Sequence, residues 1–208
     1  MNYEILFSFI FATVALSFSP GPDNIYVLMQ SITNGRKYGI ATVCGLIFGC
    51  LFHTTLVAFG VSAIIKESHT LFFAIKTLGA LYLLYLAYKV YKSDAKVSLG
   101  SAAVPKKSLG QLFKQGVIMN VLNPKVSIFF LAFFPAYLYS ETISTVTQFY
   151  VLGLIFMATS FVVFALIAIL AGFISDYLKQ SKNIGLVLKW LQIVVFIGIA
   201  IFIFLSEK

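Results

Sequence analysis

The chain has 208 residues, of which 60% are hydrophobic and only 11% are charged, and its mean hydropathy is +0.97. A soluble domain of this length needs far more polar surface, so the composition indicates an integral membrane protein and leaves no room for a separate soluble domain. The net charge is +8. Its distribution, described below, argues against nucleic-acid binding as the reason for this excess.

Long apolar segments predict six membrane-spanning helices, because each is long enough for the roughly 20 residues that cross a bilayer core. Backbone polar groups in lipid must be satisfied within the segment, so we expect an all-α protein. No Lys or Arg precedes Arg36, and a signal peptide needs a basic start, so the first apolar segment is expected to be a retained span. The predicted spans one to six are residues 5–33, 39–65, 70–91, 112–138, 146–175 and 185–205.

Basic residues are concentrated in alternate loops. Because such loops are cytoplasmic, both termini are expected outside. Specific binding of anionic lipid is the alternative use of this charge. The predicted cytoplasmic side holds eleven basic residues: Arg36, Lys37, Lys89, Lys92, Lys96, Lys106, Lys107, Lys114, Lys179, Lys182 and Lys189.

Two halves of three spans each are predicted, residues 1–92 and 111–208, joined by a polar and basic cytoplasmic linker at 93–110. The tetrapeptide GLIF occurs in the second span of each half, at 45–48 and 153–156. A proline motif in span one, SPGPDN, likewise corresponds to NPK in span four. An odd number of spans inverts the second copy, so the pattern predicts two inverted repeats with spans one and four interrupted.

Helix breakers lie inside span one. Residues 4–36 would run about 48 Å as a straight helix, well beyond a bilayer core of roughly 30 Å. Pro20 and Pro22 remove two amide donors and Gly21 weakens the helix, so the break is expected there. Ser19 followed by Pro20, and Asn123 followed by Pro124, both resemble the start of a new helix.

Each break is a candidate binding site. A half-helix that starts within the membrane presents free N–H groups to a carboxylate, while the carbonyls of the preceding half can hold an ammonium group. Two such breaks would together suit a zwitterion. A proline kink that only shapes packing is the alternative.

Two charges accompany the breaks, Asp23 and Lys125. Each should face protein or water, since a charge at the bilayer centre costs at least ~2.5–3.5 kcal/mol. Lys125 could attract a carboxylate, and Asp23 could bind an amino group or carry a proton; a structural ion pair between the two is the alternative. The predicted substrate-binding residues are Pro20, Gly21, Pro22, Asp23, Asn24, Asn120, Asn123, Pro124 and Lys125.

Span two carries a small-residue motif and a histidine. Gly45 and Gly49 form G-x-x-x-G, which favours close packing of span two against a broken span. His53 could relay protons together with Asp23, or simply be hydrogen-bonded within the bundle. We expect no metal site and no cofactor, and the sequence has neither H-E-x-x-H nor G-x-S-x-G, so no catalytic site is predicted.

The motif series resembles the LysE/RhtB family of amino-acid exporters. The matching segments are SPGPDN, NGRKYGI, GLIFGCLFHTTLVAFGVSAI, LGALYLLYLAYK and GVIMNVLNPKVSIFFLAFFP, in the order that the family has them. They lie in the first 135 residues, whereas residues 140–208 match mainly by hydropathy.

This resemblance implies a multi-pass secondary transporter of the bacterial cytoplasmic (inner) membrane that exports amino acids or their derivatives from the cytoplasm, driven by the proton motive force. It does not choose among homoserine, homoserine lactone, threonine, leucine and basic amino acids as substrates, and it leaves a homo-oligomer open. The family also accepts asparagine at position 23, which weakens an obligatory proton-carrying role for Asp23. An inorganic-cation exporter, or a membrane enzyme or scaffold, is the alternative.

Overall fold

The computed structural model describes residues 3–19, 21–93, 106–180 and 184–205, and every regular element in these ranges is helical. Pro20 and residues 94–105, most of the predicted linker, lie outside them. The elements are α1 (Tyr3–Phe18), α2 (Pro22–Asn34), α3 (Arg36–Leu56), a π-helical turn (Val57–Val61), α4 (Ser62–Glu67), α5 (His69–Lys92), α6 (Leu109–Val121), α7 (Pro124–Phe133), a 3₁₀ turn (Phe134–Tyr137), α8 (Thr145–Ile169), α9 (Ala171–Gln180) and α10 (Ile184–Leu205).

The helices agree with the all-α membrane prediction. Four described segments are long and apolar enough to cross a bilayer, namely Arg36–Ile65, Thr70–Lys92, Thr145–Ile169 and Gly185–Leu205. Two bent pairs bring the number to six if each is one span. The first, α1 with α2, bends by 62°, and the second, α6 with the segment Pro124–Tyr137, bends by 55°. Spans one and four are therefore interrupted, as the proline motifs predicted.

Span five is shorter than the sequence indicated. We predicted residues 146–175, but α8 ends at Ile169 and α9 starts at Ala171 after a junction at Leu170. The apolar run continues across this junction, so hydropathy carries no signal of the break.

Each half of the chain packs against the other half through equivalent pairs of helices. α3 of the first half packs on α6, the first part of span four, and α8 of the second half packs on α1, the first part of span one. α3 also contacts α8, and α5 contacts α10. These are the pairs that a two-fold relation between inverted halves requires, although the division into repeats at residues 1–92 and 111–208 stays a prediction.

Glycines allow α3 and α6 to approach closely. A Cβ atom on Gly45 would collide with the backbone of Phe113, and one on Gly116 would come within 2.9 Å of the Leu46 amide nitrogen. A Cβ atom on Gly49 would lie 2.8 Å from the side chain of Asn120. The broken span against which the motif packs is therefore span four.

Candidate functional site

The break in span one lies between Phe18 and Pro22. α2 starts with Pro22 in its first turn and Gly21 as the N-cap, in extended conformation and without a side-chain cap. The expectation that Ser19 caps this helix is wrong. Its side chain is fully buried, and its hydroxyl has no hydrogen-bond partner within the described part of the chain. The helix starts two residues later than expected, and the preference of proline for the first helical position does not decide between the two caps, since Ser19 and Gly21 both precede a proline.

The break in span four has the cap that the sequence predicted. Asn123 is the N-cap of α7, and its Oδ1 accepts a hydrogen bond of 3.1 Å from the amide nitrogen of Lys125. Pro124 occupies the first helical position. One of the free N–H groups of α7 is thus already bonded, whereas α2 has no such side-chain cap.

Asn123 also joins the two breaks. Its Nδ2 donates a hydrogen bond of 2.9 Å to Oδ2 of Asp23, in the first turn of α2. Asp23 is buried, so this contact satisfies part of the demand that a carboxylate makes in a low-dielectric region. The two interrupted spans therefore meet at their broken points.

Lys125 lies beside this contact without touching Asp23. No ion pair of 4.0 Å or less joins the two charges, both of which are described residues. The ammonium nitrogen lies 4.9 Å from the ring centroid of Phe196 in α10, which provides a cation–π contact. It also lies 3.7 Å from the position of a Cβ atom built on Gly21. The positive charge is thus held next to the start of α2.

A cavity opens at the breaks, and the space free of protein atoms there, open solvent at the mouth included, is about 590 Å³. One part of its wall is polar, and the other is aliphatic and aromatic. The polar part is formed by Ser17, Gly21, Asp23, Asn24, Asn120, Asn123, Lys125 and Ser160, with Cys50 and Pro22 between them. The apolar part is formed by Leu16, Leu46, Ile47, Val126, Phe129, Phe156 and Phe164.

The side-chain amides of Asn24 and Asn120 make different contacts at the two breaks. Nδ2 of Asn24 donates a hydrogen bond of 2.7 Å to the carbonyl oxygen of Ser17, at the end of α1. In span four, Nδ2 of Asn120 lies 3.6 Å from Sγ of Cys50. Its Oδ1 is buried and has no hydrogen-bond partner among the described residues. Such an acceptor is costly to bury, which makes it a candidate contact for a ligand.

Seven of the predicted site residues come together at the cavity wall: Gly21, Pro22, Asp23, Asn24, Asn120, Asn123 and Lys125. Pro124 starts α7 but is not part of the wall, and Pro20 lies outside the described residues. Gly45 and Gly49 lie at the interface of α3 and α6. His53 is also buried away from the wall, with Nε2 3.2 Å from the carbonyl oxygen of Asn120.

Sequence reasoning missed two serines. Ser17 and Ser160 line the cavity and hydrogen-bond to each other at 3.0 Å, which connects α1 to α8. Ser17 is the second-last residue of α1, and Ser160 follows Thr159 in an apolar stretch of α8. A pair of hydroxyl residues in such a stretch is the signal that could have identified Ser160.

The sequence is similar to known efflux proteins over most of its length. The LysE type translocator family matches residues 14–207. The leucine efflux protein of Salmonella choleraesuis is 27% identical over 200 residues, which cover 96% of this chain and 93% of that protein. The homoserine/homoserine lactone efflux protein of Salmonella typhimurium is 30% identical over 183 residues, or 88% of each chain. No solved structure matches. A family match over nearly the whole chain, with four to six apolar helices, identifies the protein as a multi-pass membrane transporter that belongs to the LysE type translocator family.

Proposed function

We propose that this protein exports neutral aliphatic amino acids from the cytoplasm and that the cavity between the two broken spans is the substrate site. The observation that carries the proposal is the meeting of both breaks at one cavity, with Asp23, Asn123 and Lys125 in its wall. A zwitterion needs opposite partial or full charges a few ångströms apart, and this wall supplies them.

The substrate carboxylate is assigned to the start of α2. This helix begins without a side-chain cap, so its first N–H groups can bind an anion. The ammonium group of Lys125 lies next to Gly21, the N-cap residue, and adds a full positive charge to the same place. The start of α7 is the weaker candidate, because Asn123 already accepts from its Lys125 amide.

The substrate ammonium group is assigned to Asp23 and Asn120. Asn123 donates to Oδ2 of Asp23, which leaves the other carboxylate oxygen for a ligand. Oδ1 of Asn120 is a second acceptor, buried and without a partner among the described residues. An ammonium group has three donors, and these two oxygens would satisfy two of them.

The substrate side chain is assigned to the apolar part of the wall. Leu46, Val126, Phe129, Phe156 and Phe164 would surround an aliphatic group. Asp23 is the one acidic residue among those that line the cavity, so a basic side chain would find no second carboxylate there. The two efflux proteins reported above, one named for leucine and the other for homoserine and its lactone, support a neutral substrate.

We propose that transport runs outward and is driven by the proton motive force, with both termini of the protein outside. The basic loops support the orientation. Asp23 is the titratable group that touches both the cavity and the opposite half of the bundle. Protonation of Asp23 at the moment when the substrate leaves would link proton entry to the separation of the two breaks. His53 is a weaker proton carrier, because it lies away from the cavity wall.

The direct test is an efflux assay in cells that lack their own exporters and are loaded with a leucine-containing dipeptide. Wild-type protein should release leucine faster than an empty vector, and Lys125→Ala should lose at least about 90% of that difference, since a charged hydrogen bond is worth about 1.5–3 kcal/mol. Lys189→Ala is the matched control, because Lys189 donates to the carbonyl of Ser93 at an exposed position outside the cavity.

Parallel cells loaded with lysine-containing and threonine-containing dipeptides measure the selectivity. Equal release of leucine and lysine would contradict the assignment of the apolar wall. Release no faster than the empty vector for every amino acid, with the protein present in the membrane, would overturn the proposed function.

A further inference from the structure

Pro124 leaves one carbonyl group of α6 without its helical donor. In an α-helix the carbonyl of Asn120 accepts from the amide of residue 124, and proline has no amide hydrogen. The amide nitrogen of Asn123 donates to this oxygen at 3.1 Å, which satisfies one of its two lone pairs. The second would need a further donor, because an unsatisfied acceptor in a buried residue is costly.

His53 of span two occupies that second position. Its Nε2 lies 3.2 Å from the Asn120 carbonyl oxygen, and both groups are buried. A carbonyl oxygen only accepts, so Nε2 carries the proton in this contact. The imidazole is 2% exposed and lies against Phe130 of α7, with 5.4 Å between the ring centroids. The ring therefore contacts both sides of the break in span four.

The residue that His53 holds is itself part of the cavity wall. The Asn120 side chain lines the cavity and approaches Cys50, another lining residue on α3. A hydrogen bond to the backbone of Asn120 fixes the point from which that side chain extends. His53, which does not line the cavity, can thus affect the site through Asn120.

We propose that His53 is a positioning residue of the transporter: its Nε2–H binds the carbonyl that Pro124 leaves free, and this holds Asn120 in place at the cavity wall. The imidazole works as a hydrogen-bond donor and not as a proton relay. Only the transport readout of this inference rests on the proposed function. The contact between His53 and Asn120 can be tested without transport.

Two amide substitutions test whether the donor must lie at the position of Nε2. The side-chain nitrogen of glutamine can take the place of Nε2, whereas that of asparagine corresponds to Nδ1 and falls short of the carbonyl. We expect His53→Gln to retain efflux within about twofold, with the pH profile of the wild type. We expect His53→Asn to lose about tenfold, as the loss of a buried hydrogen bond implies.

A thiol-labelling readout reports the same contact independently of transport. In a Cys44→Ala background, the rate at which methyl methanethiosulfonate modifies Cys50 should rise several-fold in His53→Asn, because a displaced Asn120 no longer shields the thiol. His53→Gln should label at the wild-type rate. If the wild-type protein exports no amino acid and the two variants still show this labelling pattern, the proposed function is wrong and the role of His53 is retained.

The proposal fails if the two variants behave alike. Equal loss of efflux in both, with a changed pH profile, would show that the imidazole itself carries protons. Wild-type efflux and labelling in both would show that the contact has no role. If His53→Asn accumulates in the membrane only at a reduced level, the melting temperatures of the two variants in detergent extracts replace the efflux comparison, and equal temperatures overturn the proposal.

Discussion

Nδ2 of Asn123 donates a hydrogen bond of 2.9 Å to Oδ2 of Asp23, across 100 residues of sequence and between the two broken spans. The same Asn123 side chain caps α7 through its Oδ1. One amide therefore both starts a half-helix and holds the carboxylate of the opposite half. When one half of the bundle moves, this bond must either break or hold the other half to the same movement. The bond is therefore a point at which a transporter that alternates between two states can be controlled.

Exchange of the two side chains tests this bond. Asn123→Asp keeps an oxygen that can cap α7, but it sets a carboxylate against Asp23, so efflux should fall by at least about tenfold, as expected for repulsion between poorly solvated charges. The double variant Asp23→Asn with Asn123→Asp restores an amide–carboxylate pair in reversed order. Efflux of leucine from dipeptide-loaded cells should recover to within a few-fold of the wild type.

The outcome for the double variant decides the interpretation. If it is no more active than Asn123→Asp alone, the bond has no independent role and Asp23 acts through its charge at that exact position. Asp23→Asn alone is the control for the loss of that charge.

Gly49 gives a second test, because it sets the space that Asn120 occupies. A methyl group at this position would lie 2.8 Å from Cβ and Oδ1 of Asn120 and would push that side chain away. Gly49→Ala should therefore lower efflux strongly, at a stability cost of about 1–3 kcal/mol from overpacking. The matched control is Gly198→Ala in α10, where no atom lies within 4 Å of the added carbon.

Both glycine variants are compared by efflux and by melting temperature in detergent extracts. Equal efflux from Gly49→Ala and Gly198→Ala would mean that the close contact between α3 and Asn120 is dispensable for transport.

The orientation in the membrane is tested with single cysteines. In a background without Cys44 and Cys50, Glu141→Cys should react with an impermeant maleimide added to intact cells, and Lys106→Cys should react only after the cells are opened. Both positions are exposed, so access to either is limited by the membrane alone. Labelling of Lys106→Cys in intact cells would reverse the orientation that the eleven basic residues predict.

Composition and the local signals for helix starts and ends were sufficient to predict the helical fold, the two interrupted spans and seven of the residues that line the cavity. The cap at Asn123 followed from the local motif, because an N-cap bond spans only two or three residues. The start of α2 did not, since Ser19 and Gly21 both precede a proline and tertiary packing decides between them.

The long-range contacts had no signal in the sequence. The bond from Asn123 to Asp23 and that from His53 to Asn120 span 100 and 67 residues, and they depend on how the broken spans cross. An Asp23–Lys125 ion pair was the simpler expectation from charge alone. In the structure an amide takes the place of the ammonium group at the carboxylate, and the ammonium group lies next to Gly21 and Phe196.

The central claim, that the cavity between the breaks holds the exported amino acid, is tested most directly by substrate protection of Cys50. This thiol lines the cavity, whereas Cys44 is exposed on the outside of the bundle and is replaced by alanine. In purified protein, leucine should slow the modification of Cys50 by methyl methanethiosulfonate in a saturable manner, lysine should not, and Lys125→Ala should abolish the protection. A rate that no exported amino acid changes, in a preparation that catalyses leucine efflux after reconstitution, would contradict the account.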